Sequence, residues 1–348
     1  MKEMRLIRRF PVMRALMGLG MMACGMFLLT AEESHEYDYV RSAPCKELLV
    51  KPRRVPDDWR TRTAAVSLNQ AWEKDRSQPW FVELQRDGAR WVEAGIAHGH
   101  QDCVGWGLRQ LEWGFARMKQ DGSFDCGDPF HSASFLVEST ARSLLLLRAS
   151  GQEQVHAASV RQLMLPLLTC SRWLASPANE KTAAKQRIYT HRRFVLACAM
   201  LQTSQLHDDE PLRRSAALML RDGLGMQRQD GVFPEKGGHD SSYHAVSLIY
   251  LQRYGWTVED AGQRRDCDAA ARRGVAWLRG RIDDQGRVNV AGNTRTGQQQ
   301  EVGRSGVLKQ VNFPEVATAL MMHAYRCDDP AAGEMARRVL RERSVISR

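Results

Sequence analysis

Three stretches of this chain repeat one design: LRQLEWGFARMKQDGSF (108–124), LMLRDGLGMQRQDGVF (218–233) and RGVAWLRGRIDDQGRV (273–288). Each places Leu, Trp or Met at helical spacing, then Gln or Asp, then a Gly turn, then an apolar residue. Gly122, Gly231 and Gly286 supply the positive φ that such a turn requires. The first two of these glycines are 109 residues apart and the last two 55. A further turn at ASPANE (175–180) would equalise the spacing. A period of this length fits one antiparallel helix pair and marks a repeat architecture. Helix pairs with no alternating strand pattern leave an open solenoid or a closed ring. The number of pairs and the very unequal loops favour the ring. The expected fold is all-α, an α/α toroid of about five to six helical hairpins, incomplete or closed.

One set of helices is expected near 60–74, 101–119, 152–175, 210–228, 261–281 and 330–345, and the returning set near 79–98, 130–149, 189–206, 241–254 and 313–326. This phase sorts the loops onto two rims. One rim carries only short links. The other carries the long segments 121–131, 176–193, 230–244 and 283–312. Long loops inside a compact domain are usually functional, so the second rim is the expected active face.

The first 14 residues are basic, and residues 15–31, ALMGLGMMACGMFLLTA, carry no charge before the polar EESHEYDY begins. That order reads as a secretory signal peptide over 1–31, cut after Ala31. The apolar run is short for a membrane span. The expected organisation is therefore a signal at 1–31, an extended lead-in at 32–59 and a helical domain at 60–348. A periplasmic or secreted location follows, with no stable membrane partner after cleavage. The formal charge of +10 is concentrated in part in the signal, and what remains suits an anionic ligand better than nucleic acid. An oxidising compartment permits disulfides, and the helix phase pairs Cys170 with Cys198 and Cys267 with Cys327.

Of the ten His residues, His131, His191, His239 and His244 fall at the long-loop rim. The most informative stretch is FPEKGGHDSSYHAVSLIYLQRYG (233–255). Here Gly237 and Gly238 allow close backbone approach, and Asp240 or Ser241 can cap the helix that follows. Tyr243 and His244 sit in its first turn, where the helix dipole favours an anion. In RIYTHRRF (187–194), Thr190 can cap a helix that opens with His191, Arg192 and Arg193, and Arg binds carboxylates at two points. In VAGNTRTGQQQEVGRSG (290–306) no apolar period survives, and Asn293 and Arg295 lie between Gly292 and Gly297. A metal is a rival use of Asp125, Cys126, Asp128 and His131, but no spacing matches a zinc signature, so no metal or cofactor is expected. The chain has no phosphate-binding loop, no dinucleotide fingerprint and no Gly-x-Ser-x-Gly elbow.

The hairpin repeat, DGVFPEKGGHDSSYHAVSLIYLQRYG and YTHRRF together resemble secreted polysaccharide lyases of the α/α-toroid type, including alginate-lyase-like and glucuronan-lyase-like enzymes. The resemblance implies β-elimination on an anionic, uronic-acid-containing polysaccharide, without a cofactor. It makes Tyr243, His191 and His239 the expected proton-transferring residues. Arg192, Arg193, Asn293, Arg295, His131, His244 and Lys236 are the expected substrate contacts. The family commonly pairs Asn with His, where this chain reads Thr190-His191-Arg192; Asn293 from another loop is the expected substitute. Neighbouring Arg or His⁺ charge is expected to lower the Tyr243 pKa. Two other readings stay open. One is a glycoside hydrolase, which needs two carboxylates from Asp125, Asp128, Glu235 and Asp240. The other is a non-catalytic polysaccharide-binding or export protein.

Overall fold

The repeated turns form as their sequence requires. Gly122, Gly231 and Gly286 have φ of +88°, +93° and +91°. A Cβ at any of them would come under 3.0 Å from the backbone of Thr169, Arg273 or Arg338 respectively. Each turn thus tucks against an outer helix of another hairpin. The computed structural model describes residues 35–298 and 301–346. The expected signal segment, 1–31, lies outside them.

The described residues are all-helical, with isolated bridges in place of strands. The elements are α1 (His35–Arg41), α2 (Ala43–Leu48), α3 (Leu68–Lys74), a 3₁₀ turn (Val82–Arg86), α4 (Asp87–His98), α5 (Gln101–Phe115), α6 (Pro129–Ala149), α7 (Ala157–Leu174), α8 (Glu180–Lys185), α9 (Thr190–His207), α10 (Glu210–Gly225), α11 (Ser241–Thr257), α12 (Ala261–Arg279), α13 (Phe313–Cys327) and α14 (Pro330–Ile346). Five pairs recur: α4–α5, α6–α7, α9–α10, α11–α12 and α13–α14, each joined by a short link. The first members also touch one another in sequence, α4 to α6, α6 to α9, α9 to α11 and α11 to α13. Burial follows from that placement. In α6, α9 and α11 nearly every residue is buried, so these helices are covered on all faces. In α10 only Leu212, Ala216, Leu220 and Gly223 are buried, the single stripe of a helix covered on one side. Among the described residues, no helix is long and apolar enough to cross a membrane.

Three expectations change. The lead-in is not extended throughout, because residues 35–48 form α1 and α2. Ser42 caps α2 through its hydroxyl, Pro44 sits in its first turn, and Tyr39, Val40 and Cys45 bury against the domain. Tertiary burial supports helices too short to stand alone. The helix expected at 60–74 is confined to Leu68–Lys74. The disulfides are absent: the seven cysteines among the described residues are all free. The Cys198 thiol donates to the Tyr250 carbonyl on α11 at 2.9 Å, so it faces that helix and not Cys170 on α7. Cys327 lies 3.7 Å from His323 Nδ1 on its own helix.

Candidate active site

The long links are stitched together by their backbones. Residues 235–238 make a tight hairpin turn in which Glu235 and Gly238 exchange both N–H···O bonds at 3.1 Å. Lys236 and Gly237 both have positive φ, +50° and +79°, as a type I′ turn demands. The Lys236 N–H donates to the Ile188 carbonyl at 2.8 Å, and the Thr190 hydroxyl donates to the Pro234 carbonyl. Thr190 is therefore a cross-link and not a helix cap. The start of α9 is fixed beside Glu235.

Asp240 fixes the other side. Its Oδ1 caps α11 by accepting from the N–H groups of Ser242 and Tyr243, both at 3.1 Å. Its Oδ2 accepts from the N–H groups of Arg295 and Thr296 at 2.9 and 2.8 Å. One buried carboxylate thus sets both the start of the Tyr243 helix and the loop that carries Arg295.

On this frame stands a buried polar cluster. His191 Nδ1 lies 3.0 Å from Glu235 Oε2. The other Glu235 oxygen accepts from Arg295 Nη1. Burial works to raise the Glu235 pKa, but His191 and Arg295 outweigh it and hold the carboxyl ionised. An ionised Glu235 requires the proton on His191 Nδ1, which leaves Nε2 as a lone pair. Burial lowers the His191 pKa although Glu235 opposes it, so the ring is neutral. Arg295 Nε and Nη2 also reach Glu301, at 3.0 and 2.9 Å. Lys236 and Lys309 donate to the same Glu301 carboxylate. Burial pushes the Glu301 pKa up, but those three cations hold it far below the usual carboxylate range. Three cations face two carboxylates here, leaving one positive charge unspent.

The Tyr243 ring lies 4.9 Å from the His191 ring, under the Arg295 guanidinium at 3.7 Å. Its hydroxyl accepts from Lys309 Nζ at 3.1 Å. Burial raises the Tyr243 pKa to about 12; Arg295 opposes this, and Glu235, Glu301 and Glu315 add to it. The expected lowering does not occur, because burial of the phenol outweighs Arg295 and the nearby carboxylates add to it. Tyr243 is a proton donor at neutral pH. His131 completes the cluster with its ring 5.9 Å from that of His191. Burial, helped by Arg192 and His191, holds it neutral, and its buried Nδ1 has no hydrogen-bond partner.

Of His131, His191, His239, Tyr243 and Arg295, which the helix phase placed around one cleft, all but His239 are together. Arg192 borders them with its guanidinium 4.4 Å over Tyr189 and an ion pair to Asp128 at 3.2 Å. Lys236 joins through Glu301. Four expected residues point elsewhere. His239 packs against Trp277 at 5.4 Å, and its Nε2 lies 3.2 Å from the Ala291 carbonyl. His244 Nδ1 accepts from the Phe233 N–H and its Nε2–H donates to the Gly274 carbonyl. Burial pushes its pKa down to about 4, so it is a neutral tie between two elements. Arg193 turns to α10, where it pairs with Asp222 at 2.9 Å. The Asn293 amide is consumed by Ser241 and Thr296, so it offers a substrate nothing. Of the carboxylates considered for hydrolysis, Asp240 is spent on the latch and Asp128 on Arg192. Asp125 is exposed, outside these contacts.

Glu301 and Lys309 had no signal in the sequence. Glu235 did, in the turn residues Lys236-Gly237-Gly238 beside it. Among the described residues no three His, Cys, Asp or Glu side chains converge as metal ligands. Comparison of the chain with protein-family models, with curated proteins and with solved structures gives no match.

Proposed function

We propose that this chain is a polysaccharide lyase that cleaves a uronic-acid-containing polymer by β-elimination, built as an incomplete α/α toroid and working in the periplasm or outside the cell. The observation that carries the reading is the His191–Glu235 pair, with a free Nε2, facing a protonated Tyr243 in a site with one surplus positive charge. β-Elimination needs those three things. A uronate carboxylate must be neutralised so that the proton beside it becomes acidic; Lys309, Lys236 and Arg295 supply the charge. His191 Nε2 then takes the proton from the carbon bearing the carboxylate. The electron pair forms the new C=C bond, and the C–O bond to the leaving sugar breaks. Tyr243 gives its proton to the departing oxygen, and the Lys309 ammonium stabilises the phenolate left behind. The scheme uses no cofactor.

The toroid reading is supported by the sequential contacts of α4, α6, α9, α11 and α13, with α1 lying against α4, α6 and α11. The location is supported by the basic and then apolar order of residues 1–31. Hydrolysis fits the site less well. A glycoside hydrolase keeps one carboxyl protonated as its acid, and here Glu235 and Glu301 are both held ionised.

The test is incubation of the protein with a panel of uronic-acid polymers. Ultraviolet absorbance from an unsaturated product supports the lyase. New reducing ends without absorbance replace it with a hydrolase, and binding without any cleavage with a polysaccharide-binding protein.

A further inference from the structure

Between α4, α6, α11, α13, α14 and the lead-in lies a cavity of about 940 Å³. Ligand pockets run from about 300 to 1,000 Å³, so this one is large enough for a sizeable molecule. Its charges are of two kinds. The first are already paired. Arg142 and Arg253 share Glu36, Glu93 and Glu138, with Arg253 Nε 3.2 Å from Glu36 and its Nη1 3.2 Å from Glu138.

The second are unpaired. Arg86 and Arg90 both line the cavity, four residues apart, and neither makes a side-chain hydrogen bond or ion pair among the described residues. Helical spacing brings the Cβ atoms of such a pair within about 5–6 Å. The Arg86 guanidinium lies 4.3 Å over the Phe135 ring, and Arg90 is exposed. Glu83, and more weakly Glu315 on α13, act on the Arg86 charge without reaching ion-pair distance. Both Arg86 and Glu315 also act on Tyr243, so this part of the cavity borders the Tyr243 site. Each of these two guanidiniums lines the cavity and can take a carboxylate in the planar, two-point geometry that suits Arg. Tyr39, Val246 and Tyr250 provide apolar wall for the faces of sugar rings.

We propose that this cavity binds a carboxylate-bearing oligosaccharide, with its carboxylates on Arg86 and Arg90. The saccharide part of that ligand rests on the lyase reading, while the carboxylate part rests on the two arginines alone.

Calorimetric titration with short oligouronates, and with cello-oligosaccharides as neutral controls, tests it. The full chain carries Tyr243→Phe to prevent turnover. Oligouronates should bind and neutral chains should not. Arg86→Gln and Arg90→Gln should each weaken oligouronate binding at least about tenfold, as expected for a lost charge-assisted contact, with an unchanged melting temperature. If Arg86→Gln unfolds the protein, the exposed Arg90→Gln decides alone. Equal affinity in the variants, no oligouronate binding, or equal affinity for neutral chains overturns the cavity site. The two proposals fail separately. Arginine-dependent binding with no unsaturated product from the wild type keeps the cavity and discards the lyase. Unsaturated product with unaltered affinity in both variants does the reverse.

Discussion

Two buried charge clusters sit in this molecule, and they have opposite characters. The inner one, Glu36, Glu93 and Glu138 with Arg142 and Arg253, carries one more carboxylate than guanidinium. Its Arg side chains and two of its carboxylates stand on helix bodies; the third carboxylate comes from the lead-in. The outer one, around Glu235, Arg295 and Glu301, carries one more cation than carboxylate and stands on links and first turns of helices. The inner charges pair with one another, although Arg142 Nε and Arg253 Nε make no hydrogen bond. The outer cluster leaves three groups with capacity in hand: His191 Nε2, the Tyr243 hydroxyl proton and His131 Nδ1. Burial of charge does not by itself make a site. A neutral base and a protonated phenol beside buried charge do.

That contrast can be broken by substitution. In the outer cluster, His191→Gln keeps a polar side chain beside Glu235 but removes the base. Turnover should fall by about 10⁴-fold, the upper end for general acid–base catalysis, with little change in the urea midpoint. A variant with normal turnover would move the base elsewhere. In the inner cluster, Arg253→Ala should do the reverse. Breaking a buried pair from one side costs about 3–5 kcal/mol, so the midpoint should drop sharply, while the folded fraction keeps its specific activity. Unchanged stability would show that the inner charges are not coupled as their geometry implies.

Burial depresses the pKa values of His131, His191 and His244. The unfolded chain binds protons at these residues near pH 6.5, where the native chain does not. Stability should therefore fall as pH drops below about 6.5. His244, pushed down to about 4, alone accounts for roughly 3 kcal/mol over that window. The depressed Glu235 and Glu301 add to the loss at lower pH, because their contribution is present above the unfolded carboxyl pKa and disappears as the native groups protonate. A urea midpoint that is flat from pH 7 to 4 would contradict this. The rate per folded molecule should hold as pH drops through about 6.5, because the depressed His191 stays neutral there, and fall only at more acid pH. Any alkaline limb should come from Lys309, whose ammonium burial holds below the usual lysine range, before Tyr243, which keeps its proton to about 12.

The helix phase was legible because turn chemistry and apolar spacing repeat along the chain. That phase placed His131, His191, His239, Tyr243 and Arg295 at one end; four of them meet there, and His239 packs on Trp277 instead. It could not give rotation about each helix axis. Successive residues are about 100° apart, so His191 faces inward while Arg193, two positions on, faces Asp222 on α10. The same rotation separates Tyr243 in the site from His244 behind it, and Cys198 from Cys170. Glu301 and Lys309 lie in a loop without apolar period, where only tertiary structure specifies a partner. The lead-in read as extended because its buried residues, Tyr39, Val40 and Cys45, follow no single period. Glu36 finds its guanidiniums only through contacts more than 100 residues away in sequence.

The smallest change bears most directly on the central claim that a protonated Tyr243 and a neutral His191 carry out elimination. Tyr243→Phe deletes one hydroxyl, whose recorded partner is Lys309, and leaves the ring against Arg295 and His191. The measurement is the rate of ultraviolet absorbance from unsaturated uronate with the wild type and with this variant on the same polymer. Absorbance is expected with the wild type, and a rate at least about 10²-fold lower in the variant, with polymer binding retained. A variant that forms unsaturated product at the wild-type rate would assign Tyr243 to packing and contradict the account.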